Sequence, residues 1–495
     1  MEENQSSNSM NHNEKPCKDI AIEIPGDLFP KDLETTFRPE ECIYKAPAAL
    51  CDSNRASYTP RVISIGPFHH GSEKLMPMEI QKQRYMKEFC KRLGGETKVQ
   101  ESLKVLWETI QSLEDKIKRC YADNTSVEFS SVDNKFVKMI LFDAVFIFEL
   151  FLKNEEDMHD NKRYQDDFIV GKPWLRAAIQ RDLILLENQL PFFILKKLYR
   201  LAIEETKLNY PSFLDLSCHY FEKYGKNKTK PYETKHYKPL HFTDLVRHFL
   251  SFKHPQLESP GGKQVKNLYS ATMLHQAGIK FKALSDHFTD LVRHFLSFKH
   301  PQLESPDGKQ IKNLYSATML HRAGIKFKAL PDACLLDIRA WKETENTVKK
   351  GELHMPPLEI DNSTECLFRN LMALEQCRYP TEEFICRYVK LLDFLVDDKK
   401  DVDLLIENKV IVSRLGDSKA VAELMNKLCL EIVEVTSGYD ALSQLLNDYY
   451  ESSWNKNKAY LVSVYFHNVW IGTGTVIGLI ILAITVTRFI LFFFR

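Results

Sequence analysis

The most uniform hydropathy pattern in the chain is a long apolar run close to its last residue. Residues 459–487 contain no Asp, Glu, Lys or Arg, and residues 469–489 include eleven Val, Ile, Leu or Phe residues. About 20 helical residues cross a hydrocarbon core of about 30 Å. At about −0.5 kcal/mol per apolar residue the run favours insertion by roughly 5 kcal/mol, whereas a buried core helix is seldom apolar on every face. The pattern therefore predicts a single transmembrane helix over residues 469–489, with Arg488 near its end, where its side chain can reach the membrane surface.

Apolar residues at helical spacing dominate the rest of the chain. Residues 99–119 alternate apolar and charged positions as an amphipathic helix does, and residues 133–153 are apolar almost all round, so this second helix should be central. Residues 175–202 have the same character, but Pro191 should break that helix. Asn362 and Glu365 resemble a capping box at the start of another. Further helices are predicted at about residues 77–93, 381–396, 401–408, 418–434 and 439–466, the last of them running close to the membrane span.

Three short stretches have strand-like patterns. They are residues 62–65, 335–339 and 352–360, and Gly66 with Pro67 stops the first. The last two, together with residues 325–327, predict a small antiparallel sheet. The predicted fold class is mainly α with a small antiparallel β element and a C-terminal single transmembrane helix. Residues 40–466 are predicted to form the helical body.

One block of the chain is present twice. Residues 241–286 and 287–332 are the same 46 residues, differing only at positions 261/307, 265/311, 276/322 and 285/331. A stacked helical array needs at least three units and atypical end repeats. Two nearly identical copies instead favour a recent tandem duplication or a mis-assembled gene model. Eight of the sixteen histidines lie in these copies, so their abundance does not indicate a histidine-rich site.

Composition argues against several classes of function. Lys plus Arg and Asp plus Glu both number 67, so there is no global basic field to attract nucleic acid. The eleven cysteines include no Cys-x-x-Cys pair, which argues against a zinc site of the usual spacing and favours reduced thiols. Residues 1–18 are polar and predicted to be disordered, and they lack the apolar run of a secretory signal. We therefore expect a cytosolic body tethered by the predicted span.

Carboxylates within apolar helices are the main candidates for chemistry. Paired buried carboxylates act as acid and base or hold metals, but they also serve as hydrogen-bonding groups that order a helical core. The structural role is favoured, because the one Glu-x-x-His match, at Glu233 and His236, lies in a loop beside Pro231 rather than on a helix. The candidate residues are Glu149, Glu187, Glu375, Asp143 and Asp182.

Other motifs give weaker signals. His69-His70-Gly71 lies in a predicted turn without a partner motif, and no nucleophile-elbow, phosphate-binding or dinucleotide motif occurs. No catalytic, cofactor-binding or metal residue is therefore assigned, and no cofactor is expected. The basic run Lys223–Lys230 fits a solvated loop, with contact to anionic lipid heads as the alternative. Glycosylation triplets begin at Asn124, Asn227 and Asn362, and matter only if the body lies outside the cell.

Five ordered motifs resemble those of a plant family, domain of unknown function 247 (uncharacterised protein family 0481). The resemblance covers residues 40–495 and implies a membrane-bound protein of land plants. Some members are implicated in pollen–stigma self-incompatibility in grasses, and none supplies a catalytic residue to carry over. The motifs are Tyr58–Gly71, Met78-Glu79 with Lys82 and Tyr85, Glu187–Phe192, Ala277–Phe281, and Ser363–Glu365 with Arg369–Gln376.

The chain departs from this family in two ways. Where the family usually has Asp-Gly-Cys-Phe, this chain has Asp143-Ala-Val-Phe146, which argues further against thiol chemistry there. Members normally carry one copy of the duplicated block. We therefore predict a hybrid that uses the first helix of copy one and the strand of copy two, with residues 280–295 looped out or loosely docked. Extra loop length costs only about (3/2)RT ln n, so the fold should survive.

The leading functional hypothesis is a plant single-pass membrane protein that is not an enzyme and acts in interaction, recognition or signalling. Its expected partners are the membrane, with the plasma membrane favoured and the body cytosolic, and an unidentified protein. The alternative is a membrane-associated enzyme that uses the buried carboxylates Glu149, Glu187 and Glu375. A third hypothesis is a scaffold on a lipid surface.

Overall fold

The computed structural model describes residues 40–122, 134–160, 163–204, 210–224, 237–251, 314–331, 333–340, 351–432, 439–466 and 469–493. These residues are mainly helical, with two small sheets, which confirms the predicted fold class. The junction of the duplication and the predicted disordered residues 1–18 lie outside the described ranges. The helices of the first half are α1 Ala48–Asn54, α2 Met76–Leu93, α3 Glu96–Ser112, α4 Glu114–Lys118, α5 Lys135–His159, α6 Pro173–Asp182, α7 Phe192–Ala202, α8 Phe213–Tyr220 and α9 Phe242–Ser251.

Helix α5 is the central element of the first half, as its apolar pattern predicts. Almost every residue from Phe136 to Asn154 is buried, and α2, α3, α7 and α8 pack around it. The ring of Phe148 lies 5.4 Å from the rings of both Tyr199 and Phe213, which are edge-on to it. Aromatic pairs in this arrangement stabilise a core by more than the burial of their apolar surface alone would.

Residues 62–65 are not a strand, so that prediction is wrong. They are extended, but their amides bind side chains instead of a neighbouring strand. Asp182 Oδ2 accepts from the amides of Arg61, Val62 and Ile63 at 2.6–3.1 Å. Asn188 Oδ1 accepts from the Ile65 amide at 2.6 Å. Side chains thus satisfy the backbone groups that a sheet would otherwise satisfy.

The turn at Gly66 needs glycine for two reasons. Its φ is +75°, a region that side chains with a Cβ seldom adopt. A Cβ built at this position would lie 2.4 Å from the carbonyl oxygen of Gln189. The backbone therefore passes directly against the Glu187–Phe192 motif, and only a residue without a side chain fits.

The β element is smaller than the helical part and its pairing is mixed. Strand β3 Glu352–Met355 lies between β1 Lys326–Ala329, which is parallel to it, and β2 Arg339–Ala340, which is antiparallel. β4 Leu358–Ile360 and β5 Ile411–Ser413 form a second, parallel pair. The predicted antiparallel pairing is therefore correct for β2 with β3, whereas β1 is parallel to β3. Local alternation predicts a strand but does not specify the direction of a partner that comes from a distant part of the chain.

The second half packs against the first through α11 Thr364–Arg378. Asn370 Nδ2 donates to the Ser57 carbonyl at 2.7 Å, and Asn370 Oδ1 accepts from the Leu186 amide at 2.9 Å. The predicted capping box of Asn362 and Glu365 is wrong. Asp361 accepts from the Ser363 amide instead, and Glu365 binds side chains. The remaining helices of this half are α10 Ala317–Ala323, α12 Phe384–Leu395, α13 Lys399–Glu407 and α14 Ser418–Leu428.

Both copies of the duplicated block contribute to the core. From copy one, α9 is buried against α11 and α12. From copy two, α10 packs against α13, and β1 joins the mixed sheet. These are the parts that the hybrid prediction selects, whereas residues 280–295 lie outside the described ranges.

The predicted helix over residues 439–466 is divided in two. α15 Asp440–Glu451 ends at Ser452, whose extended backbone (φ −56°, ψ 133°) separates it from α16 Ser453–Tyr465. Asn455 Nδ2 donates to the Tyr449 carbonyl at 2.8 Å, which satisfies a carbonyl left free by the break. α17 Val469–Phe493 follows after three further residues.

Candidate functional site

The apolar run forms one uninterrupted helix, α17, that does not pack into the body. Within Trp470–Phe492 an 18-residue stretch has a mean hydropathy of 2.4, and no residue of that stretch is buried. By length and composition this helix can cross a membrane. A core helix of the same composition would be largely buried, as α5 is, so the exposure of α17 favours the membrane interpretation.

Glu149 is held by an arginine that sequence reasoning did not identify. Arg92 Nε and Nη2 donate to the two carboxylate oxygens of Glu149 at 2.9 and 2.8 Å. Arg92 Nη1 also donates to Glu156 Oε1 and to the Tyr210 hydroxyl, each at 2.6 Å. Both carboxylates therefore take part in a network that joins α2, α5 and the segment before α8, and Glu149 is 2% exposed.

Glu375 is fully buried and binds both a cation and a helix terminus. Its Oε1 accepts from Arg247 Nε at 2.9 Å. Its Oε2 accepts from the amides of Ile385 and Cys386 at 2.9 Å each, and these are among the first amides of α12. The carboxylate thus satisfies unpaired donors at the positive end of that helix. It joins α9, α11 and α12.

Glu187 differs from the other two because it is only partly buried. Its Oε1 accepts from the Ala46 amide at 2.9 Å. His69 Nε2 lies 3.0 Å from Oε2, without the geometry of a hydrogen bond. The predicted turn His69-His70-Gly71 therefore does meet one of the candidate carboxylates. Among the contacts that the structure describes, the three candidate glutamates share no partner.

The two candidate aspartates organise the backbone of the Tyr58–Gly71 motif. Asp182 binds three of its amides, as described above. Asp143 Oδ2 accepts from the Gly66 amide at 2.8 Å, and its Oδ1 accepts from Lys82 Nζ at 2.5 Å. Lys82 is fully buried and donates also to the Ser64 carbonyl and to Glu79, each at 2.6 Å. Every hydrogen of this ammonium group is used, as a buried charge requires.

Sequence reasoning identified these carboxylates but missed their cationic partners. A signal was present for Lys82, which lies on the same face of α2 as Met78, Tyr85 and Phe89. A lysine at a core position of an amphipathic helix implies a buried counter-ion. No comparable local pattern indicates Arg92 or Arg247, whose partners lie 57 and 128 residues away.

Burial disfavours the thiolate at two of the described cysteines. Burial raises the pKa of Cys366 and of Cys218 to about 12, which keeps these thiols protonated and unreactive. Within the described ranges, no group of three or more His, Cys, Asp or Glu side chains is arranged to hold a metal ion.

A cavity of about 450 Å³ lies beside the first turn of α11. Its walls include Phe249, Leu335 and Leu367. Its charged lining residues are Lys223, Glu359, Asp361 and Arg414, and burial lowers the pKa of Lys223. Arg414 Nη2 lies 3.4 Å from Glu359 Oε2. Asp361 accepts from the Ser363 hydroxyl at 2.7 Å. The cavity thus offers mainly apolar surface, with Lys223 as the one lining amine.

Comparison with known proteins identifies the family. The family model DUF247, described as "Plant protein of unknown function", matches residues 43–286 and 282–484. The two matched segments overlap where copy one of the duplicated block ends, which fits the duplication. No solved structure matches the chain.

Two curated relatives come from Arabidopsis thaliana. "UPF0481 protein At3g47200" is 27% identical over 481 residues, covering 92% of this chain and 87% of the relative. "Putative UPF0481 protein At3g02645" is 23% identical over 504 residues, covering 90% and 88%. These matches confirm the resemblance that the five motifs indicate. The chain belongs to the plant DUF247 (UPF0481) family, whose function is unknown.

Proposed function

We propose that the chain is a single-pass membrane protein whose helical body acts by interaction or recognition rather than by catalysis. The observation that carries the proposal is α17, an apolar helix of 25 residues that the body leaves exposed. A helix of this kind in water would expose a large apolar surface, which soluble proteins avoid. A bilayer covers that surface.

The arrangement of the buried carboxylates supports a non-enzymatic body. Catalytic carboxylates require access to a substrate. Glu149 and Glu375 are 2% and 0% exposed, and each neutralises an arginine inside the core. Their contacts account for both oxygens of each group. A role in stabilising the fold therefore accounts for Glu149 and Glu375.

The enzyme alternative rests on Glu187 and His69. These two side chains lie 3.0 Å apart and are 13% and 18% exposed, so a small molecule has some access to them. A carboxylate beside an imidazole is an arrangement that general acid–base catalysis uses. Glu187→Gln separates the alternatives. We expect the variant to keep the activity of the protein in the plant, whereas a correctly folded but inactive variant would favour the enzyme.

We place the body on the cytosolic side of the plasma membrane. The ten cysteines that the structure describes are all free thiols, which is typical of a reducing compartment. Asn362 begins a glycosylation triplet and is exposed, so it is available for modification if the body faces the lumen. We expect no mobility shift on treatment with N-glycosidase in plant cells. A shift that disappears in Asn362→Gln would place the body on the other side.

The membrane proposal is tested by two lysines near the middle of α17. Ile480 and Ile484 are 53% and 51% exposed. Each Lys at the centre of a span costs about 3 kcal/mol, and each lost Ile removes about 0.5 kcal/mol of favourable free energy. The free energy of insertion therefore changes from roughly 5 kcal/mol favourable to roughly 2 kcal/mol unfavourable. The full chain should resist extraction by alkaline carbonate, and Ile480→Lys with Ile484→Lys should be extracted.

The matched control carries the same change on the body. Ile80 and Val105 are 55% and 45% exposed on α2 and α3. Ile80→Lys with Val105→Lys should remain in the membrane fraction. Extraction of the unmodified chain, or equal retention of both double variants, would contradict the role of α17.

A further inference from the structure

Helix α16, which precedes the proposed span, has two faces with opposite surroundings. Asn455, Ala459 and Val462 recur at helical spacing and are the less exposed side, where α16 packs against α10. The other side exposes large apolar and aromatic residues. Among the residues that the structure describes, nothing covers Trp454 (80% exposed), Tyr460 (63%), Leu461 (50%) or Tyr465 (42%).

These exposed residues form a stripe along one side of the helix. Trp454, Leu461 and Tyr465 are separated by seven and four positions, so they project in nearly the same direction. Tyr460 lies about 100° round the helix from Leu461, with Asn457 and Val464 between them. At 100° per residue, Lys456 and Lys458 fall at the two borders of the stripe. An apolar stripe containing Trp and Tyr and bordered by lysines is the pattern of a helix that lies in a membrane interface.

The position of α16 in the chain places this stripe next to the span. Only two residues separate Phe466 from α17. The Phe466 ring lies against the first turn of α17, since a Cβ added at Gly472 would be 3.2 Å from Phe466 Cδ1. The end of α16 is therefore held at the point where α17 begins.

We infer that α16 lies along the membrane surface, with its stripe of Trp454, Tyr460, Leu461 and Tyr465 in the lipid headgroup layer. The inference rests on the proposed function, because it requires α17 to be inserted. The helix then fixes one side of the body against the bilayer through α10, so the body is oriented and not merely tethered. Lys456, at one border, favours anionic lipid heads, whereas the Lys458 ammonium lies against Gly324 at the end of α10.

The opposite arrangement makes a different prediction for Trp454. If α16 stood upright on the membrane, the twelve helical steps from Trp454 to Phe466 would lift the indole about 18 Å above the start of the span. That distance is beyond the reach of lipid acyl chains. The depth of Trp454 therefore decides between the two orientations.

The test uses the full chain reconstituted in phosphatidylcholine vesicles whose acyl chains are brominated, since bromine quenches nearby tryptophan. The chain has five tryptophans, so the contribution of one is obtained by subtraction. Trp454→Phe reports on α16, and Trp470→Phe reports on the start of α17. We expect both contributions to be quenched by the lipid and shielded from aqueous acrylamide.

Three outcomes would overturn this inference, and only the second of them also overturns the membrane proposal. If Trp470 is quenched while Trp454 stays accessible to acrylamide, α17 is inserted and only the inference about α16 is overturned. If neither is quenched, insertion itself fails. If Trp454 is shielded from both quenchers in a way that depends on protein concentration, a second copy of the chain covers the stripe and the lipid assignment is overturned.

A second pair of variants tests the stripe directly. Leu461→Ser with Tyr465→Ser should reduce the lipid quenching of Trp454 and leave that of Trp470 unchanged. Ile80→Ser with Val105→Ser, on exposed positions away from the stripe, should alter neither. Unchanged quenching of Trp454 in the first double variant would show that these residues do not hold α16 on the lipid.

Discussion

Glu375→Gln tests whether the buried carboxylates stabilise the fold. The carboxylate accepts from Arg247 Nε and from the amides of Ile385 and Cys386, and it is 0% exposed. A glutamine has one acceptor oxygen, so either the arginine or the start of α12 faces an amide N–H group instead. Charge-assisted hydrogen bonds contribute about 1.5–3 kcal/mol each, and breaking a buried ion pair costs about 3–5 kcal/mol.

We therefore expect Glu375→Gln to lower the free energy of unfolding by about 4 kcal/mol. This is a large part of the roughly 5–15 kcal/mol that holds a typical domain together. The measurement is urea unfolding of the full chain in detergent micelles at pH 7, followed by circular dichroism at 222 nm.

Glu423→Gln is the matched control, on α14. Glu423 Oε1 lies 3.7 Å from Lys419 Nζ, and the two side chains are 53% and 71% exposed. Exposed pairs contribute about 0–1 kcal/mol, so this variant should stay close to the wild type. Equal losses in the two variants would refute the assignment of stability to burial.

A double-mutant cycle isolates the ion pair. Arg247→Met combined with Glu375→Gln should cost less than the sum of the single changes, because removing both charges leaves no uncompensated ion in the core. Strict additivity would show that Arg247 and Glu375 do not stabilise each other, and the loss in Glu375→Gln would then come from the α12 amides.

Three further predictions concern other parts of the body. Lys82→Met leaves the carboxylate of Asp143 buried without its cation and should cost about 3–5 kcal/mol in urea unfolding, whereas Lys104→Met, at a residue 74% exposed, should change stability by less than about 1 kcal/mol. Burial lowers the pKa of His241 and of His248 from 6.5 to about 4, so as the pH falls the unfolded chain binds these protons before the folded chain does. The contribution of each histidine to the free energy of unfolding should be complete above pH 6.5 and fall towards pH 4, by up to about 3 kcal/mol per histidine. His241→Gln should flatten this pH dependence. Deleting residues 252–297 shortens the connection between Ser251 and Leu314 from 62 residues to 16. The shorter loop should raise the free energy of unfolding by about 1 kcal/mol, because closing it costs less entropy. A deletion variant that does not fold would show that both copies are needed.

Helical periodicity predicted most helices of the body, because the spacing of apolar residues is a local property of the sequence. The apolar pattern of residues 133–153 predicted the central helix α5, and Pro191 predicted the break before α7. The split at Ser452 was not predictable, since no proline or glycine marks it and the helix is interrupted by backbone conformation alone. Element boundaries depend on such details more than element existence does.

The candidate site was only half predictable, for a physical reason. A carboxylate in an apolar helix is visible in the sequence, and so is the need for a partner. The identity of that partner depends on tertiary packing, which brings Arg247 to Glu375 across 128 positions. The failed strand at residues 62–65 has the same origin, because Asp182 satisfies its amides from more than a hundred residues away.

The contact between Asn370 and Ser57 has a consequence for how the protein is made. The Ser57 carbonyl receives its hydrogen bond from a side chain that is synthesised 313 residues later. At about 5–20 residues per second the ribosome needs roughly 15–60 s to cover that interval. During this time the segment around Ser57 lacks its partner. The contacts that join the two halves of the body therefore form late in synthesis, after α11 has emerged.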